Sequence, residues 1–126
     1  MRMTRDEFIK TFGKPEQQSK YRNRKCEWNG MTFDSIRERD RYIELEFMQR
    51  SGEISELNRQ QKFLLIPDQM DNGKVVEKAC HYIADFTYYD KDGKYIVEDV
   101  KGIRTKEYRL KRKMMMWFQG LRISEV

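Results

Sequence analysis

The sequence predicts an α+β (α/β) fold, in which a small mixed β-sheet is flanked by helices in a single domain. A chain of 126 residues has the length of one domain. Segments rich in β-branched and aromatic residues follow one helical segment and precede another, which is the order expected of a sheet covered by helices. Hydrophobic residues make up 38% of the chain, and this share is enough for one modest core.

The first 24 residues are predicted to form a short helix and a basic arm, and residues 25–126 to form the folded domain. Thr4 and Glu7 have the spacing of a capping box, which predicts a helix over residues 4–12. The glycine and proline that follow end this helix. The polar segment between the helix and the domain is expected to be a mobile arm.

A tight hairpin and a long helix are predicted to open the domain. Asn29-Gly30 is the strongest two-residue hairpin signal and lies at the centre of residues 26–33. Ser35 then caps a helix that runs to about Arg50. Apolar side chains fall on two nearly opposite sides of this helix, so we expect it to be covered on two sides.

Three strand segments follow. Residues 57–66 form the first, and a turn at residues 71–73 leads to one long or bent strand over residues 74–89. Asp-Lys-Asp-Gly at residues 90–93 is a hairpin turn, and it leads to a strand over residues 94–101.

The last helix is predicted from Thr105, its cap, to about Gln119, and a short strand over residues 121–126 closes the chain. Its basic side chains are expected on one side and its apolar ones on the other. The basic side comprises Lys106, Arg109, Arg112 and Lys113, and the apolar side Leu110, Met114, Trp117, Phe118 and Leu121. Residues 114–118 are predicted to be core, with a homodimer interface as the alternative for part of this wide arc.

Composition excludes several classes of protein. The two cysteines are far apart and the chain has one histidine, which excludes a disulfide scaffold and the usual zinc sites. No stretch approaches the roughly 20 apolar residues of a membrane span. The start of the chain has no apolar signal-peptide region. We therefore expect a cytoplasmic protein with no membrane partner.

Basic side chains concentrate in residues 20–25, with four, and in residues 101–113, with seven against one acid. Two such clusters on a small domain of net charge +5 suggest a polyanion partner. The candidate contacts with such a polyanion, for which DNA is the candidate, are Lys20, Arg22, Arg24, Lys25, Arg104, Lys106, Arg109, Lys111, Arg112 and Lys113. The alternative is a solvated charged surface. Lys111 falls within the apolar arc, where it either reaches the active site or extends to solvent.

The strongest chemical signal lies in the predicted hairpin over residues 82–101. Asp99 and Lys101 share a face of their strand, whereas Glu98 points the other way. Pairing through the turn brings Asp85 close to Asp99. Two carboxylates are suitable ligands for Mg²⁺ or Mn²⁺, and a lysine beside them can assist a water nucleophile or stabilise the charge of a transition state. The alternative is an ordinary salt bridge at the edge of the sheet.

Asp85 followed by Asp99-Val100-Lys101 resembles the signature of the PD-(D/E)XK nucleases. The ordered set that carries the resemblance further is Tyr21-x-Asn23-x-Lys25, Gly30-Met31-Thr32-Phe33-Asp34-Ser35, Glu38-x-x-x-Tyr42, Leu57-x-x-Gln60, Tyr82-x-Ala84-Asp85-Phe86 and Glu98-Asp99-Val100-Lys101-Gly102. This set resembles a small group of phage-encoded nucleases, related to Holliday-junction resolvases and to transposon end-cleaving endonucleases. The similarity covers roughly residues 20–120.

The resemblance implies a restriction-endonuclease-like core and a metal-dependent endodeoxyribonuclease. The implied cofactor is Mg²⁺ or Mn²⁺, with no organic cofactor, and the implied partners are branched or duplex DNA and a second copy of the chain. A phage or prophage role in recombination or replication follows from the same resemblance. Two alternatives stay open: a nuclease for linear duplex or single-stranded DNA in transposition, packaging or defence, and a non-catalytic DNA-binding module.

The resemblance also implies roles for individual residues. Asp85 and Asp99 hold the metal, with the Val100 carbonyl as an added ligand, and Lys101 assists the nucleophile. Glu38 matches an acid that assists the metal site in such nucleases, although Ser35-x-x-Glu38 is equally a capping box.

Gln60 matches a glutamine that helps to place water or phosphate, and its alternative is a polar strand residue. The sequence departs from the superfamily pattern at Ala84, where proline is frequent, and at Asp99, where glutamate is commoner. Glu98 is predicted to make a salt bridge or a dimer contact.

Overall fold

Two α-helices and eight strands make up the described part of the chain, which comprises Thr4 and residues 25–126 of a computed structural model. The strands are β1 (Cys26–Trp28), β2 (Met31–Phe33), β3 (Ser55–Ile66), β4 (Gln69–Asp71), β5 (Lys74–Glu77), β6 (Cys80–Tyr89), β7 (Tyr95–Asp99) and β8 (Ile123–Glu125). The helices are α1 (Ile36–Arg50) and α2 (Lys106–Met114), and α2 continues as a π-helical segment, Met115–Gln119. The predicted α+β class is confirmed. The predicted helix over residues 4–12 and the arm to residue 24 lie outside the described residues.

The chain divides into two compact units, residues 1–40 and 41–126. In the described part of the first unit, β1 and β2 form the predicted hairpin, with Cys26 opposite Phe33. Asn29 and Gly30 both have positive φ, at 53° and 80°, which is the conformation that an Asn-Gly hairpin turn requires. The Ser35 hydroxyl accepts the Glu38 amide at 3.1 Å, so the predicted cap of α1 is confirmed.

The second unit is built on a mixed four-stranded sheet in the order β3-β6-β7-β8. The β3–β6 and β6–β7 pairs are antiparallel, and β7–β8 is parallel. The turn predicted over residues 90–93 joins β6 to β7, and the predicted closing strand is β8. The predicted small mixed sheet is therefore confirmed.

The segment predicted as one strand over residues 74–89 is divided into β5 and β6. The turn at Asn72-Gly73, with φ values of 51° and 73°, pairs β5 with β4 in a separate hairpin. At the open end of this hairpin, the carboxylate of Asp68, just before β4, accepts a hydrogen bond at 2.6 Å from the amide of Ala79, which lies between β5 and β6. Both β4 and this division were missed, because the residues keep a strand-like composition throughout.

Two hydrophobic cores lie on opposite faces of the sheet, since Ile96 packs in one and its neighbour Val97 in the other. The buried members of the α2-side core are Leu65, Tyr82, Ala84, Val97, Tyr108, Met115 and Ile123. The buried members of the α1-side core are Leu45, Ile54, Phe86 and Tyr88. The predicted covering of the sheet by helices thus takes the form of one helix on each face.

The alternation of side chains in β6 breaks between Ala84 and Phe86. Two residues apart in a regular strand, they would share a face, yet they are buried in different cores. Across the ladder, Arg59 pairs with Phe86 and Gln61 with Ala84, so the position between them holds Gln60 opposite Asp85. Gln60 has a φ of 54°, which is uncommon for a residue other than glycine.

The prediction that residues 114–118 are core is wrong for three of the five. Met115 is fully buried, whereas Met116, Trp117 and Phe118 are exposed. The cause is geometric: α2 covers one face of a small sheet and buries only a narrow arc, which contains Tyr108 and Met115. Neither helix in the described part of the chain has the length and apolar character that crossing a membrane requires.

Candidate active site

Asp85 and Asp99 meet where β6 and β7 leave their shared ladder. The last register pair at this end is Phe86 with Glu98, and the two aspartates follow it. The Asp85 amide donates to Asp99 Oδ1 at 3.3 Å, and the Val100 amide donates to Asp85 Oδ2 at 2.9 Å. Each carboxylate is thus held by the backbone of the other strand, and the expected convergence is what the structure shows.

Lys101 completes this group. Its Nζ lies 2.9 Å from Asp99 Oδ2, as expected for residues on one face of a strand. The ammonium also lies 4.0 Å from the ring centroid of Tyr108 in α2. Backbone bonds between Val126 and both Asp99 and Lys101 fix the end of β7. The Lys101 side chain retains 21% of its exposed surface, so solvent reaches it.

Tyr82 belongs to the same group, and sequence reasoning missed it. Its hydroxyl donates to Asp99 Oδ2 at 2.6 Å. Burial raises the pKa of Tyr82 well above its ordinary value, and the negative charge of Asp99 raises it further, so the hydroxyl keeps its proton at neutral pH. Regular alternation would place Tyr82 on the face opposite to Asp99. The break in β6 brings them together, and no sequence signal of that break was available.

This donor set fits a hard divalent cation. Mg²⁺ is commonly bound through one or two carboxylates and keeps several waters for itself and for substrate phosphate. Among the described residues, no group of three or more histidine, cysteine, aspartate or glutamate side chains is arranged to hold a metal. Asp85, Asp99 and the Val100 carbonyl therefore stay predicted ligands of Mg²⁺ or Mn²⁺.

The roles predicted for Glu38, to assist the metal site, and for Gln60, to place water or phosphate, stay predictions. Glu38 is buried, and its amide makes the capping bond to Ser35, so the capping interpretation has a contact in its favour. Gln60 lies opposite Asp85 in the β3–β6 ladder, which is where a residue that places water or phosphate would be needed.

Glu98 makes the salt bridge predicted as one of its two alternatives. It is 1% exposed and faces the α1-side core. Arg41 Nε and Nη2 donate to its two carboxylate oxygens at 2.6 and 2.8 Å, and the Tyr88 hydroxyl donates at 2.6 Å. The hydrogen bond with Glu98 raises the pKa of Arg41, and burial raises that of Tyr88. Glu98 is therefore occupied on the face away from Lys101.

The predicted DNA contacts fall into three groups. Lys20, Arg22 and Arg24 lie outside the described residues, and Lys25 is exposed. Arg104 and Arg112 bind Glu125 at 2.7 and 3.0 Å, and Lys111 lies 3.4 Å from Glu107 along the helix. Lys106, Arg109 and Lys113 are exposed and form no ion pair with any residue that the structure describes.

Glu125 of β8 links these cations to the site. The Tyr108 hydroxyl donates to it at 2.6 Å, and this bond, with those from Arg104 and Arg112, lowers the pKa of Glu125 from 4.5 to about 2. Tyr108 therefore contacts both residues: its ring lies against the Lys101 ammonium, and its hydroxyl donates a hydrogen bond to Glu125. A cleft of about 880 Å³ lies along β8, and neither Asp85 nor Asp99 lines it.

Comparison with known proteins gives one match. Residues 18–125 match the model of a family described as "Protein of unknown function (DUF1064)". No curated protein and no solved structure matches the chain. The matched residues include every member of the group around Asp99.

Proposed function

We propose that this chain, which belongs to the DUF1064 family, is a metal-dependent endodeoxyribonuclease with a restriction-endonuclease-like core. One observation carries the proposal. Asp85 and Asp99 are 14 residues apart in sequence, yet the Asp85 amide donates to the Asp99 carboxylate and the Val100 amide donates to the Asp85 carboxylate. Lys101 Nζ lies 2.9 Å from Asp99. Burying a carboxylate is costly, and a site where two of them meet a lysine is a candidate for catalysis.

Asp85, Asp99 and the Val100 carbonyl would hold the cation. When bound, Mg²⁺ or Mn²⁺ would supply a Lewis acid for the phosphate oxygens and lower the pKa of a coordinated water. Asp99 Oδ2 accepts hydrogen bonds from both Tyr82 and Lys101, whereas Asp99 Oδ1 accepts the Asp85 amide at 3.3 Å, so Oδ1 is the better placed of the two Asp99 oxygens to bind the cation. Tyr82 thereby holds the orientation of Asp99.

The reaction is hydrolysis of a backbone phosphodiester. A bond forms between phosphorus and a water oxygen, one phosphorus–oxygen ester bond breaks, and the leaving oxygen takes up a proton. Lys101 carries an ammonium that Asp99 and the Tyr108 ring hold in place, so it can orient the water by a hydrogen bond and offset the charge that develops on phosphorus oxygens.

Cations on α2 would hold the DNA by its phosphates. Lys106, Arg109 and Lys113 are exposed on the helix whose Tyr108 lies beside Lys101. Contacts with phosphate release counterions and position the backbone without reading sequence. The resemblance adds a preference for branched DNA and a homodimer to the proposal.

Cleavage of a labelled four-way junction and of a matched linear duplex, in Mg²⁺, Mn²⁺ or EDTA, tests the proposal. The variants are Asp85→Asn and Asp99→Asn, with Asp92→Asn, an exposed aspartate in the same hairpin, as the matched control. We expect metal-dependent cutting that falls by at least about a hundredfold in the two site variants and persists in the control.

The outcomes distinguish a junction resolvase, a nuclease without junction preference and a non-catalytic DNA-binding module. Faster cutting of the junction supports a resolvase, and equal cutting of both substrates removes the junction preference but keeps the nuclease. Tight, salt-sensitive binding without cutting under any metal would overturn the catalytic proposal in favour of a DNA-binding module. Cutting that survives in both site variants would show that the wrong residues were chosen.

A further inference from the structure

The outward surface of α2 and its π-helical extension carries cations around an exposed indole. Trp117 keeps 83% of its surface exposed, and the aliphatic Leu110 lies two turns before it. Three cations share the surface with them. We define the α2 outer face as Lys106, Arg109, Leu110, Lys113 and Trp117.

Helix geometry explains why these residues lie together. Tyr108 and Met115, seven residues apart, point into the α2-side core. Leu110 follows Tyr108 by two positions, which is about 200° around an α-helix of 3.6 residues per turn. Trp117 follows Met115 by two positions in the π-helical segment and is likewise exposed. The expected split of α2 into a basic and an apolar side is therefore wrong at these two residues, which lie among the cations.

Charge decides which partner fits this face. In a two-fold dimer the same patch faces itself, so Lys106, Arg109 and Lys113 would approach their own copies and repel. A polyanion instead offers each cation a phosphate. An aromatic side chain beside phosphate-binding cations is the arrangement that holds unpaired nucleobases, because every base presents a π-face to stack on.

We propose that Trp117 stacks on an unpaired base and that Lys106, Arg109 and Lys113 bind the flanking phosphates. The ligand class is DNA that displays unpaired bases, as a single strand or a branch point does. This rests on the proposed function for its claim that DNA is the substrate, although binding alone tests it.

The α2 outer face is long enough for several nucleotides, and it lies on the side of α2 turned away from Lys101. Tyr108, whose ring centroid is 4.0 Å from Lys101 Nζ, lies on the inward side of the helix, so a strand bound to both places would pass around α2. Lys106 and Trp117 are separated by roughly 16 Å along the axis, at 1.5 Å per residue. A strand that kept the stacked spacing of B-DNA, about 3.4 Å per nucleotide, would cover this length with roughly five nucleotides.

Fluorescence anisotropy in EDTA, where metal-dependent cutting is stopped, measures the effect. The probes are a labelled single-stranded 20-mer, its duplex and a four-way junction. We expect Trp117→Ala to raise Kd for the single strand about tenfold, within the range for one base stacked on an aromatic ring, and to change Kd for the duplex less than about twofold.

Two controls separate stacking from other effects. Phe47→Ala removes an aromatic ring that is 72% exposed on α1 and should leave all three Kd values within about twofold. Lys113→Gln should weaken binding to every probe and reduce the salt slope by about 0.7 to 0.9. With Trp28→Phe, Trp117 becomes the sole tryptophan, and its fluorescence should be quenched by poly(dT).

Several outcomes would overturn the inference. Equal weakening on single strand and duplex, or no weakening and no quenching, removes stacking. A dimer that dissociates with Trp117→Ala would assign this face to a second copy, and loss of binding to phosphatidylserine vesicles would assign it to a membrane. If the stacking effect is present but no metal supports cutting, the proposed function fails while this inference stands. If DNA is cut but the stacking effect is absent, this inference fails while the proposed function stands.

Discussion

Replacing Arg41 by methionine is expected to lower the free energy of unfolding by about 3–5 kcal/mol. Arg41 forms a two-pronged salt bridge with Glu98, at 2.6 and 2.8 Å, and Glu98 is 1% exposed. Without Arg41 the carboxylate would stay buried, and among the described residues the Tyr88 hydroxyl would remain as its side-chain donor.

The magnitude follows from this burial. A carboxylate left uncompensated in the interior loses far more than an exposed pair, because water cannot replace the missing charge. Small domains are stable by only about 5–15 kcal/mol, so the loss would be a large share of the total. A variant that also carries Glu98→Met has no buried charge, and we expect it to recover much of the loss.

Urea denaturation at pH 7, followed by circular dichroism, provides the measurement. Arg50→Met is the matched control, because Arg50 is on the same helix, its side chain is 75% exposed, and it pairs with Glu46 four residues before it, a kind of helix pair that contributes about 0.3–0.5 kcal/mol. A loss below about 1 kcal/mol for Arg41→Met, or a double variant less stable than the single one, would refute the reasoning about Glu98.

Three further predictions concern the site and its supports. Tyr82→Phe removes the hydroxyl that donates to Asp99 at 2.6 Å, and we expect it to lower the free energy of unfolding by about 1.5–3 kcal/mol in urea denaturation. A loss under about 0.5 kcal/mol, which is the size of an ordinary surface change, would contradict the contact. Glu125 has a folded pKa of about 2 against 4.5, so its stabilisation is full above pH 4.5 and is lost as pH falls towards 2. The stability gap between Glu125→Gln and the parent chain should therefore close over that window, and a gap that does not change with pH would contradict it. Gly120→Ala should cost about 1 kcal/mol from its φ of 66° alone, since no atom lies within 4 Å of the added Cβ, and a neutral result would show that the backbone relaxes.

Much of the fold could be predicted because local signals were strong. Asn29-Gly30 and Asn72-Gly73 specify turns with positive φ, and Ser35 and Thr105 specify helix caps; the structure confirms each. Period-two alternation was enough to separate Glu98 from Asp99, because β7 is regular there.

The failures arise where a rule of regular structure stops holding. In β6 every second residue from Tyr82 through Ala84 to Phe86 is apolar, so the sequence predicts that all three lie on one face of the sheet. The structure instead places Tyr82 and Ala84 in one core and Phe86 in the other. No alternation argument could then place Tyr82 beside Asp99. Trp117 was misplaced for a different reason: apolar composition predicts burial, but the arc that α2 buries depends on how much sheet lies beneath it.

The π-helical segment affects how this protein tolerates insertions and deletions. A π turn contains one residue more than an α turn, so deletion of one residue from Met115–Gln119 would let α2 continue as an ordinary helix. Gly120, with its left-handed cap, would still lead the chain into β8. Inserting or deleting one residue at this point would therefore change which side chains the helix exposes. The register of β8, which binds the end of β7 at Asp99 and Lys101, would stay the same.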